Sequence, residues 1–220
     1  VGGRAPDSPQ QAAWVVFELL DAADPDDAQL SATTGRSPVS LADHQRDVAD
    51  RAGEFAQILG LPESLKRTLT VAGAHHDDGK SDERYQAWLT QGVAGADEPM
   101  AKSLLSALPF RQSRFLPAGW RHEQLSAAML RAHADGADAL AVRLVGTSHG
   151  HGRGTFLMGA ESLVHPEAPP HVRMAAEELF DVGVWDALVL SVEQTWGLWA
   201  VAWLEAVLRA ADVTISKEGR

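Results

Sequence analysis

Three features of the sequence predict an all-α fold. Apolar residues recur at helical spacing through most of the chain, no segment alternates with a convincing period of two, and the periodic stretches are bounded by capping residues, glycines and prolines. No internal repeat, heptad array or composition shift calls for a second domain, and 220 residues suffice for one sizeable core. The expected architecture is therefore a single helical bundle with long irregular loops. A peripheral helix and loop would occupy residues 1–39, and the core would occupy residues 40–216.

The elements follow in order. Pro9 to Ala23 carries Ala, Val, Phe and Leu at helical spacing, and the acidic, turn-rich run from Asp21 to Pro38 reads as a loop. Ser40 is an N-cap, and Leu41, Val48, Ala52, Phe55, Ala56 and Leu59 trace one helix face that Gly60 ends. Pro62 opens a helix as a first-turn proline, running to about His75. Ser81 or Asp82 caps a short helix bearing Tyr85, Trp88 and Leu89. An irregular region from Gln91 to Gly119 has room for a helix near Lys102 to Leu108. Helices are expected again at about Arg121 to Ala134 and Ala137 to Ser148, where Gly150, Gly152 and Gly154 break the pattern. A proline-rich loop precedes a helix at His171 to Leu179. The last helix is expected to be capped by Ser191 and to end near Ala211. Its Trp196, Trp199 and Trp203, at i, i+3 and i+7, read as a core stripe.

Composition narrows the chemistry. Hydrophobic residues make up 45% of the chain and charged residues 22%, as in ordinary globular proteins. There is no cysteine, which excludes disulfides, thiolate metal sites and cysteine nucleophiles and fits a reducing cytoplasm. Any metal must be held by imidazole and carboxylate, and nine histidines are available. The longest apolar stretch, Trp196 to Leu204, is too short for a membrane span, and no signal peptide is evident. A formal net charge of −11 argues against general nucleic-acid binding. The stretch from Ala101 to Arg131 is the exception. It holds Lys102, Arg111, Arg114, Arg121 and Arg131 against Glu123 alone, interleaved with Phe110, Phe115 and Trp120. Basic side chains among aromatics suit a single-stranded nucleic-acid track, although a solvated loop with buried anchors has the same composition.

The sharpest chemical feature is His75-His76-Asp77-Asp78-Gly79-Lys80. Adjacent His and Asp at a helix end can both reach one metal, since their side chains diverge by about a third of a turn. A carboxylate can also bridge two metals, an arrangement that clamps a phosphoryl group. Gly79 permits a tight turn, and Lys80 brings a cation close by. The remaining ligands must come from elsewhere, and His44, His122, His149, His151 and Asp212 are candidates because they stand at helix ends or next to the His76-Asp77 element. Asp212 sits near the expected C-terminus of its helix, where the dipole disfavours an acid, which hints at a nearby cation. His75, His133, His165 and His171 are read as non-ligands. A sulfur-free donor set suits Mn, Fe, Co, Ni or Zn, and Mg less well.

The order of these residues carries a resemblance. His44, then His76-Asp77 with Gly79-Lys80, then Arg121-His122-Glu123, then Ser148-His149-Gly150, then Arg209-Ala210-Ala211-Asp212 with Ser216 resembles the HD superfamily of metal-dependent phosphohydrolases. More closely, it is similar to the HD nuclease domain of the CRISPR type I interference helicase–nuclease, over about Leu41 to Ser216. The resemblance implies metal-dependent cleavage of single-stranded DNA, alongside a helicase domain or subunit and the CRISPR surveillance complex. A start at Val1 rather than Met suits a domain excised from such a longer protein. The resemblance also implies that His44, His76, Asp77 and Asp212 hold a first divalent ion and that Asp77 bridges to a second, held with His122 and His149. The family usually has two adjacent histidines before the glycine, where this chain has Ser148-His149, and His151 is a substitute. One or two ions are thus expected. Lys80 would act on phosphate charge as a catalytic residue beside Asp77, and Arg111, Arg114, Arg121 and Arg153 would contact substrate. Two other readings stand: an HD phosphohydrolase acting on a nucleotide or signalling dinucleotide, and an HD fold kept as a non-catalytic docking module.

Overall fold

The computed structural model describes residues 39–92, 98–102, 114–133 and 138–219. The expected helix at Pro9 to Ala23, the loop to Pro38, most of the expected helix near Lys102 to Leu108, and Arg111 lie outside them. The fold is all-α, as the periodicity predicts. Nine α-helices form among the described residues: α1 (Leu41–Ile58), α2 (Glu63–His75), α3 (Glu83–Thr90), α4 (His122–Ala132), α5 (Ala139–Gly146), α6 (Ala160–Leu163), α7 (Pro170–Ala176), α8 (Val184–Trp196) and α9 (Leu198–Glu218). A 3₁₀ turn, Asp78–Ser81, joins α2 to α3, and a π-helical turn, Glu177–Asp181, extends α7. No strand forms among the described residues, and one antiparallel β-bridge links Ser40 to Met100.

Local chemistry accounts for the helix ends. Asp43 N–H donates to Ser40 Oγ at 3.0 Å, and Gly60, with φ of 67°, takes the left-handed conformation that stops α1. Asp82, of the two caps considered, starts α3 by accepting from Arg84 N–H at 2.9 Å. Asp138 caps α5 through Leu140 and Ala141 N–H.

The helices close on one apolar core. α1 packs along α2, and α9 lies against both. α4 and α5 are buried on nearly every face; α5 is apolar apart from Arg143, whereas α4 buries His122, Glu123, Gln124 and Ser126 along with its apolar residues. Trp88, Trp120 and Trp185 are buried. The Trp120 and Trp185 indole N–H groups donate to the Leu163 and Gly152 carbonyls, at 2.9 and 2.8 Å, so the polar handle of each ring is satisfied.

The C-terminal region departs from expectation. It is two helices broken at Gly197, whose φ of 83° and ψ of 143° lie outside the helical region. Ser191 falls inside α8 instead of capping a helix, and α9 continues to Glu218. The tryptophan stripe is not core: Trp199 is 86% exposed, and Trp196 and Trp203 are 41% and 43% exposed. The face that α9 buries is Val201, Leu204, Leu208, Ala211 and Ile215. Trp199 and Trp203 each lie two residues from Val201, about 200° round the helix and so opposite its buried side. No described helix is long and apolar enough to cross a membrane.

Candidate metal centre

Three helices and two turns bring the candidate ligands together. His44 shares the face of α1 defined by Leu41 and Val48, and is 2% exposed. α2 ends at His75, and the chain turns through His76 and Asp77, both 1% exposed, into the 3₁₀ turn. Asp78 holds this turn in place, accepting from Gln45 Nε2 on α1 at 2.7 Å and contacting His75 Nδ1 at 2.7 Å. His75 is thereby tied to Asp78 and stays outside the cluster. Gly79 lets the turn press against the start of α4. Its N–H donates to Ser126 Oγ at 2.8 Å, and a Cβ there would run into the His122 carbonyl. Gly79→Ala is expected to lower stability by ~2–4 kcal/mol, because a backbone carbonyl cannot give way cheaply, and to displace His122. A urea-unfolding midpoint unchanged from wild type would contradict this account.

Asp77 is the hub. Its Oδ1 lies 3.3 Å from His122 Nε2 and 3.8 Å from His149 Nε2. Its Oδ2 lies 3.4 Å from His76 Nε2, 3.7 Å from His44 Nε2 and 2.7 Å from Lys80 Nζ. Asp212, six residues before the end of α9, reaches in from the other side. Its Oδ1 is 3.4 Å from His44 Nε2 and 3.9 Å from His76 Nε2. The donor atoms form two groups that could each hold a metal ion: His44, His76 and Asp212, and Asp77, His122 and His149. Both are completed without His151.

The donor set fits a divalent cation. His76 Nδ1 donates to the Gly73 carbonyl at 2.8 Å, which leaves the Nε2 lone pair facing the cluster. That Nε2 is buried and makes no hydrogen bond, a cost that a cation would remove. Burial alone would raise the Asp77 pKa. The polar surroundings of His76 and Lys80, with His122 and His149 close by, outweigh it and hold the carboxyl well below its usual range. Asp212 is likewise lowered, as His44 and His76 overcome its burial. Lys80 is held above its ordinary value: burial opposes its charge, but Asp77 prevails. Both carboxylates thus remain ionised, the form a metal needs.

The other candidates lie as follows. Arg121 Nη1 is 3.8 Å from Glu123 Oε1, and Arg114 is exposed. Arg153 donates to Glu205 Oε2 from Nε at 3.0 Å. Three residues beside the centre were missed as site residues. Lys102 is buried among Asp212, Lys80 and Asp77, and its ammonium is held below its ordinary pKa by burial, against the pull of Asp212. Glu123 is buried with Oε2 3.6 Å from His122 Nδ1. Arg209 Nη1 donates to His149 Nδ1 at 2.9 Å. The excess of bases in the Ala101 to Arg131 stretch was the one available signal for Lys102, and the adjacency of Glu123 to His122 was the one for Glu123. No protein-family model, curated protein or solved structure matches this chain.

Proposed function

We propose that the chain is a metal-dependent phosphodiesterase that cuts single-stranded DNA, an HD-type nuclease of CRISPR interference working with a helicase and the surveillance complex. The observation that carries the reading is the convergence on Asp77 of ligands from separate segments of the chain, in the order that the sequence resemblance requires. The cations beside the centre, Lys80, Lys102 and Arg209, support an anionic substrate. Mn, Fe, Co or Ni suits the imidazole and carboxylate donors, with Mg less favoured.

His44, His76 and Asp212, and Asp77, His122 and His149, would hold divalent cations, which would supply Lewis-acid polarisation of a phosphoryl oxygen and water activation at neutral pH. The chain's own part is to orient and to balance charge. Asp77 aligns both donor groups, the Gly73 carbonyl fixes the His76 ring, and Lys80 offsets negative charge next to the phosphate. No side-chain nucleophile is required.

The test is incubation of the purified chain with Mn or Ni and circular single-stranded DNA, beside a panel of nucleotides and cyclic dinucleotides. The expected result is linearised and then degraded circles, abolished by EDTA. Phosphate release from nucleotides with intact circles would replace the nuclease by a nucleotide phosphohydrolase, and inertness toward both would favour a docking module.

A further inference from the structure

The two donor groups differ in what stands behind the imidazole that must face the metal. A neutral histidine carries one proton on two nitrogens, so a hydrogen-bond partner at the far nitrogen decides whether the near one offers a lone pair. Behind His76 stands the Gly73 carbonyl, 2.8 Å from Nδ1. A carbonyl can only accept, so the proton sits on Nδ1 and Nε2 is ready to ligate. Behind His122 stands another acceptor, the Glu123 carboxylate, with Oε2 3.6 Å from Nδ1.

His149 has the reverse arrangement. Arg209 Nη1 lies 2.9 Å from its Nδ1 and 3.5 Å from the Ser148 carbonyl. A guanidinium is always protonated and can only donate. His149 Nδ1 must therefore be the accepting nitrogen, which puts the proton on Nε2, the atom facing Asp77 Oδ1 at 3.8 Å. In that tautomer Nε2 has no lone pair for a cation. To ligate, His149 would have to move its proton through solvent from Nε2 to Nδ1, where it would meet the Arg209 N–H head on, so Arg209 must first leave.

We propose that Arg209 holds the second cation position closed by fixing His149 in the non-ligating tautomer, so that the position formed by His44, His76 and Asp212 fills first and alone while Arg209 stays in place. The inference rests on the metal-centre reading above and adds an order of filling that this reading does not contain. Arg209 lies on the same helix as Asp212, and its side chain is exposed enough to be replaced without opening the core.

Two measurements test the inference. Nitrogen-15 NMR of the histidine rings in the metal-free protein is expected to give His149 as the Nε2–H tautomer and His76 as the Nδ1–H tautomer. In Arg209→Met, His149 is expected to gain an Nδ1–H population, a change that loss of a positive charge alone does not impose. Equilibrium dialysis against Mn with elemental analysis is expected to give one ion per wild-type chain. Arg209→Met should take a second at least tenfold more tightly than wild type, Arg209→Lys should stay at one, and His149→Ala in the Arg209→Met background should return to one. An Nδ1–H tautomer of His149 in wild type, two ions of equal affinity in wild type, or a single ion in Arg209→Met would each overturn the proposal. Wild type without any bound ion would instead refute the metal-centre reading itself.

Discussion

Alanine at Asp77 is expected to abolish metal-dependent cleavage, with a loss of at least ~10³-fold in kcat/KM. Asp77 is the residue that both donor groups approach, through His122 and His149 at Oδ1 and through His44 and His76 at Oδ2. Truncation removes an oxygen from each side at once, so neither group can compensate for the other. The same change strands Lys80, whose ammonium is 2.7 Å from Oδ2 and whose charge burial would otherwise disfavour. Stability should therefore fall along with activity, and an inactive variant could simply be unfolded. Asp77→Asn separates the two effects. It keeps the volume and one acceptor oxygen, so the fold should persist by circular dichroism while cleavage is lost. Full Mn-dependent cleavage by Asp77→Ala would mean that the chemistry lies elsewhere.

That the candidate ligands gather in one place could be read in part from the sequence, because their positions obey local rules. His44 is in phase with Leu41 and Val48 on one helix face, so the periodicity that buries those residues also buries the imidazole. Asp212 is likewise in phase with Leu208 and Ile215. Its position was misjudged, because α9 runs past it to Glu218, and the dipole argument does not apply two turns from the end. What could not be read depends on contacts between distant segments. Nothing in the Leu-Arg-Ala-Ala-Asp run says that Arg209 turns toward a loop 60 residues earlier. The tryptophan stripe failed for a different reason. Amphipathic spacing identifies a face only if the helix is continuous, and Gly197 resets the phase between Trp196 and Trp199, leaving Val201 and Leu204 to define the buried side.

Glu205→Ala is expected to produce the largest loss of stability, about 3–5 kcal/mol in urea unfolding. Glu205 is 6% exposed on α9 and accepts from Arg143 Nη1 at 2.6 Å and Thr147 Oγ1 at 2.8 Å, while Arg153 binds its other oxygen. Arg143 is only 1% exposed, in a helix otherwise lined by Leu, Val and Ala. Its sole other described carboxylate is Glu193, at 3.4 Å. Removing Glu205 leaves a guanidinium in the core with one long contact, and the cost is that of a buried charge without a close counterion rather than of a lost hydrogen bond. Replacing both partners, as in Arg143→Met with Glu205→Leu, should recover most of the loss, since no charge is then stranded. A loss below ~1 kcal/mol for Glu205→Ala would show that water already reaches Arg143. The network also bears on the metal centre. Thr147 and Arg153 flank His149, and Asp212 lies two turns from Glu205 on the same face of α9. One carboxylate thus ties the loop carrying a candidate ligand of one donor group to the helix carrying a candidate ligand of the other. The double replacement, stable but lacking this tie, should bind Mn more weakly at the second position than at the first, even when Arg209 is also removed.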